Sequence, residues 1–334
     1  MIQIGDNSLA PVALGCMNVS HAYGTPPSEA HSIKLLNQAL DLGYNMLDTA
    51  ALYGFGANEK LLAKAVGHRR DEFFLASKCG MFKGPDGKRA IDGRPETIRS
   101  TCEDALKRLN TEAIDLYYLH RWDKSVPIED SVGELSKLVE EGKIKHIGLS
   151  EVSAQTIEKA NEVHTIAAVQ SEYSLWSRNA EIAVIDKCQE LGSIFVSFSP
   201  VGRGMLSGKL QNNQFVDGDI RNAMPRFNDE NFAPNLAAVD RFASLLPIFA
   251  EENSSLPPPT LAQFALAWTL AKAPHSIALP GTTSLKHLEE NWATQQYSIS
   301  KPLLVLIERM IPQSAFSGAR YNEPTQAEID TEEF

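Results

Sequence analysis

The stretch Tyr44-Asn45-Met46-Leu47-Asp48-Thr49-Ala50-Ala51-Leu52-Tyr53-Gly54 decides how this chain of 334 residues is read. Its first half is a short apolar strand that ends on the carboxylate of Asp48. Its second half is a turn that presents the phenol of Tyr53. A carboxylate at a strand end with a phenol close behind makes chemical sense where the phenol gives up or takes a proton.

Working outward, the same kind of strand recurs. Apolar runs stand at 12–16, 44–48, 73–78, 114–120, 146–150, 167–171, 194–199 and 276–279, and all but the last, which ends at Leu279, end at Cys16 or a polar residue. They are continuous rather than alternating, as strands buried on both faces are. Helical stretches are read between or after them at 29–42, 95–109, 128–141, 153–163, 180–191, 234–251, 260–271 and 284–295. Pro95 suits a helix start, Ser153 an N-cap, and Gly142 and Gly192 helix stops. Strands alternating with helices predict an α/β fold, a (β/α)8 TIM barrel, with an open doubly wound sheet as the alternative. The barrel is expected to span 1–334 as one domain with no Rossmann domain. Long loops follow strand 3 (80–94) and strand 7 (201–233), and the second has the length of a lid. A further helix is read at 302–311, and 322–334 as an acidic, loosely ordered end.

Composition narrows the function. A net charge of −11 argues against a nucleic-acid or anionic-membrane partner. No run is apolar enough to span a bilayer. The N-terminus lacks a secretory pattern, so a cytoplasmic protein is expected. Cys16, Cys79, Cys102 and Cys188 have no metal-binding spacing and read as free thiols, with no metal expected. Cys79, beside Lys78, is a candidate for a lowered pKa and sensitivity to oxidants, against the plainer reading of a small core residue.

At the ends of the strands stand Cys16, Asp48, Lys78, His120, Ser150, Gln170 and Ser199. Each has an ordinary explanation: Asp48 capping a turn, Lys78 reaching solvent, His120 bonded in the core. A ring of them at the face where barrels place their chemistry reads as a site. Lys78 is expected to lower the pKa of Tyr53, Asp48 to hold Lys78 charged, and His120 to orient a substrate oxygen or relay its proton. A phenol that donates a proton to a carbonyl needs a hydride from elsewhere, which points to a nicotinamide cofactor. The turn Gly202-Arg203-Gly204-Met205-Leu206-Ser207-Gly208 fails the dinucleotide fingerprint, because Ser207 stands at the third glycine position. Pro280-Gly281-Thr282-Thr283-Ser284 is the better phosphate site, since it leads into a helix N-terminus.

These residues resemble the aldo-keto reductases over essentially the whole chain. The resemblance rests on Leu14-Gly15-Cys16-Met17, the stretch from Leu47 to Gly54, Ser77-Lys78 and Asp115-Leu116-Tyr117-Tyr118-Leu119-His120-Arg121. It continues through Gly148-Leu149-Ser150-Glu151, Glu172-Tyr173-Ser174-Leu175-Trp176, Ser199-Pro200-Val201-Gly202-Arg203-Gly204 and Gly281 to Asn291. The Glu-Tyr-Ser-Leu-Trp segment is similar to that of bacterial, yeast and plant members, including pyridoxal-reductase-like ones. The resemblance implies reduction of a small aldehyde or ketone with NADPH preferred over NADH. It implies Tyr53 as general acid, with Asp48, Lys78 and His120 completing the catalytic set. On the cofactor side it implies Gly15, Cys16, Met17, Ser150, Gln170, Phe198, Ser199, Pro200, Val201, Gly202, Arg203, Gly281, Thr282, Thr283, His287, Glu290 and Asn291. Phe198 replaces the usual tyrosine under the nicotinamide. Glu151 stands where many members have Asn, Gly281 where many have lysine, and His287 where many have the arginine that holds the 2′-phosphate. Lys286 or Arg203 is expected to compensate. Met17, Tyr23, Phe55, Met81, Trp122 and Trp176 are candidates for an apolar substrate pocket.

Two other classes fit parts of this pattern. One is a cofactor-binding partner subunit with little turnover. The other is a barrel lyase using Lys78 as a Schiff base.

Overall fold

The structure is a computed structural model that describes residues 1–334 except 85, 86 and 88. The strands are β1 (Ile2–Ile4), β2 (Asn7–Leu9), β3 (Leu14–Gly15), β4 (Met46–Asp48), β5 (Phe74–Cys79) and β6 (Met81–Lys83). They continue with β7 (Arg89–Ile91), β8 (Ile114–Leu119), β9 (Ile144–Ser150), β10 (Ile166–Glu172), β11 (Ile194–Phe198) and β12 (Ser276–Leu279). Among the described residues, eight of them form one parallel sheet in the order β3-β4-β5-β8-β9-β10-β11-β12. Parallel bridges Val12 to Ala278 and Gly15 to Gly281 join its two edges, so the sheet closes as the expected (β/α)8 barrel.

Period-2 geometry explains why these runs are apolar on both faces. Leu116 and Tyr118 of β8 point inward and join Met46, Ala76, Ala168, Val196 and Ile277 in the barrel interior. Tyr117 and Leu119 point outward and join the helices in the larger cluster. Sequence reading did not reveal the hairpin β1–β2. Its Ile2, Ile4 and Leu9 belong to the interior cluster, and its turn sits on His146, where a Cβ on Gly5 would fall 2.7 Å from the ring. It covers the end of the barrel opposite the site.

Three expectations need correction. Ala57–Val66 is a helix that patterning did not show. Gly56 starts it with no side-chain cap, and its buried residues include the polar Asn58 and Glu59, so neither the cap nor the apolar signal was present. The helix expected at 234–251 is two helices, Asp229–Ala243 and Leu246–Glu252, with Pro234 inside the first. Asn228 caps the first helix ahead of the proline, which is why it starts earlier. The tail is not loose. Asp330 accepts bonds from Ser153 N (3.1 Å) and Thr156 Oγ1 (2.6 Å), and Glu332 from Ala154 N (2.8 Å). These carboxylates sit on the N-terminus of helix Ala154–Val163, where the helix dipole favours anions.

The long loops have structure of their own. β6 and β7 form an antiparallel hairpin in the first. Short 3-10 turns make up much of the second. Ile220 N donates to Ala22 O (3.0 Å), Gly24 N donates to Asp219 Oδ2 (2.9 Å), and Arg221 lies 5.3 Å from the Tyr23 ring centre. The second loop is thus tied to residues 22–24 beside the barrel mouth. No helix of the described residues is long and apolar enough to cross a membrane.

Candidate active site

Asp48 ends β4, and Lys78 lies near the end of the adjacent β5. Both side chains are buried and form an ion pair. The Lys78 ammonium also donates to Thr49 O (2.9 Å) and Tyr53 OH (3.3 Å), so three oxygens fix its position. Gln170 Nε2 donates to the second Asp48 oxygen at 2.8 Å. Tyr53 opens a tight turn with left-handed φ at Gly54, Phe55 and Gly56, which carries the chain back into helix Ala57–Val66. That helix braces the site from behind. Asn58 accepts from Thr49 Oγ1 (2.6 Å) and donates to Cys16 O (2.8 Å). On the paired strand β9, Gly148 makes room for Tyr118, because a Cβ there would fall 2.3 Å from the Tyr118 ring.

At Tyr53 burial outweighs Lys78, which acts in the expected direction. Burial raises the Tyr53 phenol above its ordinary value; Lys78 pulls it down, Asp48 pushes it up, and the net direction is upward. Tyr53 is therefore a protonated phenol at neutral pH. Burial also works against the charge on Lys78, but Asp48 and Tyr53 outweigh it and hold the ammonium above the usual lysine value. His120 follows β8 and is buried, and burial with the charges of Lys78, Arg121 and Arg89 pushes its pKa well down. It stands neutral, its ring centre 5.8 Å from that of Tyr53 and its Nδ1 without a partner.

Tyr53, His120 and Asp48 line a cavity of about 650 Å3, in the range of small-molecule sites. The same cavity is lined by Gly15, Met17, Ser150, Gln170, Phe198, Ser199, Pro200, Val201 and Arg203. It reaches Gly281, Thr282, His287, Glu290 and Asn291, and so runs from the strand ends to helix Leu285–Ala293, which Ser284 caps. Ser199 and Arg203 hold left-handed φ values of 51° and 56° at the turn between. Such strain persists only where the surroundings impose it.

Cys16, Gly202 and Thr283 are not among the lining residues. The Cys16 thiol is buried and donates to Leu14 O at 3.5 Å, and Gly202 is packed near Leu206 and Trp176. The Thr283 carbonyl lies 2.6 Å from His31 Nε2. Met17, Tyr23 and Met81 line the cavity, whereas Phe55, Trp122 and Trp176 do not. Trp176 instead packs on Phe227 and Phe316. The Cys79 thiol is fully buried and pushed well up in pKa by that burial, which removes the basis for a reactive thiolate.

The aldo/keto reductase family model matches residues 11–302. The chain belongs to the aldo/keto reductase family. It is 41% identical to probable aldo-keto reductase 1 of Glycine max over 94% of this chain and 88% of that protein. It is 38% identical to aldo-keto reductase yakc of Schizosaccharomyces pombe, whose name includes NADP(+), over 96% and 93% of the two chains. Among solved structures, a glycerol dehydrogenase of Gluconobacter oxydans superposes with a TM-score of 0.82 at 29% identity, covering 93% and 94%.

For an aldo/keto reductase, the surroundings of His287 hold a surprise. Lys286 is exposed, pairs with Glu290 at 3.6 Å and does not line the cavity. Arg203 is occupied by Glu172 (2.9 Å) and Tyr321 OH (3.0 Å). The cation beside His287 is Lys209, 3.3 Å away and in the cavity wall. Glu151, in the position of the usual Asn, holds Arg320 through both carboxylate oxygens at 2.9 Å. Sequence reading named Lys209 only among the cations of the second long loop and Arg121 only within the motif that ends at it, and it did not name Arg320. Lys209 and Arg320 each meet their partners across a long stretch of sequence.

Proposed function

We propose that this aldo/keto reductase, acting as one domain, reduces an aldehyde or ketone to an alcohol with NADPH, and that Tyr53 donates the proton. The observation that carries the reading is a protonated phenol hydrogen-bonded to a buried, ion-paired lysine, open to a cavity beside a neutral histidine. The donor set fits a dinucleotide. Ser150 and Gln170 offer polar groups near Tyr53, Phe198 offers a ring face, and the far end offers a helix N-terminus with Lys209 and His287. Gly15, Met17, Ser199, Pro200, Val201, Gly281, Thr282, Glu290 and Asn291 line the stretch between and its far end. Bound NADPH supplies the hydride. His120 orients the carbonyl oxygen, and Tyr53 OH gives that oxygen its proton. Lys78 then stabilises the phenolate, while Asp48 keeps Lys78 charged and in place. Asp48 itself is held by Gln170.

A Schiff-base lyase fits poorly, because the Lys78 ammonium is fully buried, bound to three oxygens and absent from the cavity wall. The test is NADPH oxidation with a panel of aldehydes, ketones and pyridoxal. Saturable turnover is expected. Tight NADPH binding with no turnover on any of them would replace the reductase with a cofactor-binding partner protein.

A further inference from the structure

We propose that Arg121 recognises a carboxylate on the carbonyl substrate, so that the site prefers anionic aldehydes and ketones to neutral ones of the same shape. This deepens the reductase reading and rests on it.

Arg121 follows His120 at the end of β8, lines the cavity and is only 8% exposed. Its Nη1 donates to His120 O at 2.8 Å and reaches Ser150 Oγ at 3.5 Å. Its Nε is buried with no partner. Among the described residues it has no carboxylate within ion-pairing distance. Other buried cations nearby are treated differently. Lys78 holds Asp48, Arg203 holds Glu172, and Arg320 holds Glu151. Arg226 holds no carboxylate, but it donates to Trp176 O, Ser177 Oγ and Gly318 O and does not line the cavity. Among these described residues, Arg121 is the buried cation that has no carboxylate partner and lines the cavity.

The local charge points the same way. Asp48 and Lys78 neutralise each other. Arg89, also in the wall, is paired with Glu328. The remaining charge next to Tyr53 and His120 is the cation of Arg121. A buried cation without a counter-charge is costly unless something negative completes it. A guanidinium fork matches a planar carboxylate with two parallel hydrogen bonds. A substrate carboxylate seated on that fork would bring its carbonyl towards the neighbouring His120 and Tyr53.

The experiment measures kcat/KM with NADPH for 2-, 3- and 4-carboxybenzaldehyde and their methyl esters. It uses the full-length wild type, Arg121→Met and Arg121→Lys. In the wild type at least one acid should exceed its ester by tenfold or more. That ratio should fall at least tenfold in Arg121→Met and only partly in Arg121→Lys. Calorimetry should show benzoate binding to the NADPH complex more tightly than benzamide, with the difference lost in Arg121→Met. Ratios near one in the wild type, or a ratio unchanged in Arg121→Met, would overturn the proposal. A loss of NADPH affinity with an unchanged ratio would overturn it too, by assigning Arg121 to the cofactor. Turnover of the esters without preference for the acids fails this inference alone. No turnover on any aldehyde fails the reductase reading, and the benzoate comparison then decides Arg121 by itself. If Arg121→Met does not fold, Arg121→Lys carries both comparisons.

Discussion

Two buried charge clusters sit at the same end of this barrel and are built in opposite ways. Asp48, Lys78, Gln170 and Tyr53 come from strand ends and the turn after β4, and all but the buried Lys78 line a cavity. Glu151, Glu172, Arg203 and Arg320 join two strand ends to the loop after β11 and the C-terminal segment. In the second cluster two carboxylates meet two guanidiniums, with Arg226 close enough to add its charge. The first cluster ends on a titratable phenol open to a ligand, whereas the second pairs its charges with one another, even though Arg203 also touches the cavity. The contrast separates a group of charges arranged to move a proton from one arranged to hold a segment in place.

Breaking each cluster should give different losses. Lys78→Met leaves Asp48 buried without its counter-ion. Stability in urea should fall by about 3–5 kcal/mol, and carbonyl turnover by about a hundredfold or more. Arg320→Met leaves Glu151 without its guanidinium while Glu172 keeps Arg203. Stability should fall by about 3 kcal/mol, with turnover changed by less than about tenfold. If Arg320→Met abolishes turnover at unchanged stability, the two clusters are not separate in role.

Acid sharpens the same contrast. Burial pushes Glu172 up, but Arg203, Arg320 and Arg226 outweigh it and hold the carboxyl at about 2, below the ordinary 4.5. It contributes stability that is present above the ordinary value and lost as pH falls towards about 2. His120 acts earlier. Its pKa is held below 6.5, so the unfolded chain takes up the proton first and stability declines as pH drops below 6.5. The slope from one such group is up to about 1.4 kcal/mol per pH unit. His21 and His146 are shifted the same way, so His120→Asn should shrink that limb of a pH–stability curve rather than remove it.

The smallest expected effect lies at the far end of the cavity. Lys209→Ala should raise the KM for NADPH by about two- to fivefold and leave NADH unaffected. Lys286→Ala should change neither. Comparable KM values for NADH and NADPH in the wild type would remove the preference without touching the fold.

The barrel was legible because each strand carries its own signal, a continuous apolar run, and most of these runs end in a polar residue. The same rule exposed Asp48, Lys78, His120, Ser150 and Gln170, since strand ends in a barrel converge on one face. What stayed hidden depended on long-range meetings or on weak local signals. Helix Ala57–Val66 starts on a glycine without a side-chain cap and buries Asn58 and Glu59, so patterning had little to read. Arg320 finds its partners on β10 and just beyond β9, far away in sequence. The direction of the Tyr53 shift depends on burial, which the residue types alone do not reveal. Cys16 was placed at the mouth by the strand-end rule, yet its side chain turns into the core. At a strand end the rule identifies the position but leaves the face undecided.

The central claim is that Tyr53 donates the proton. It is tested most directly by single-turnover NADPH oxidation with a reactive aldehyde, comparing wild type and Tyr53→Phe across pH. The account predicts a loss of about 10²- to 10⁴-fold in the variant with NADPH affinity retained. It also predicts a wild-type rate that declines only above the ordinary phenol value of 10.0, since the folded phenol lies higher. Equal rates in the two proteins, with the same pH profile, would contradict it.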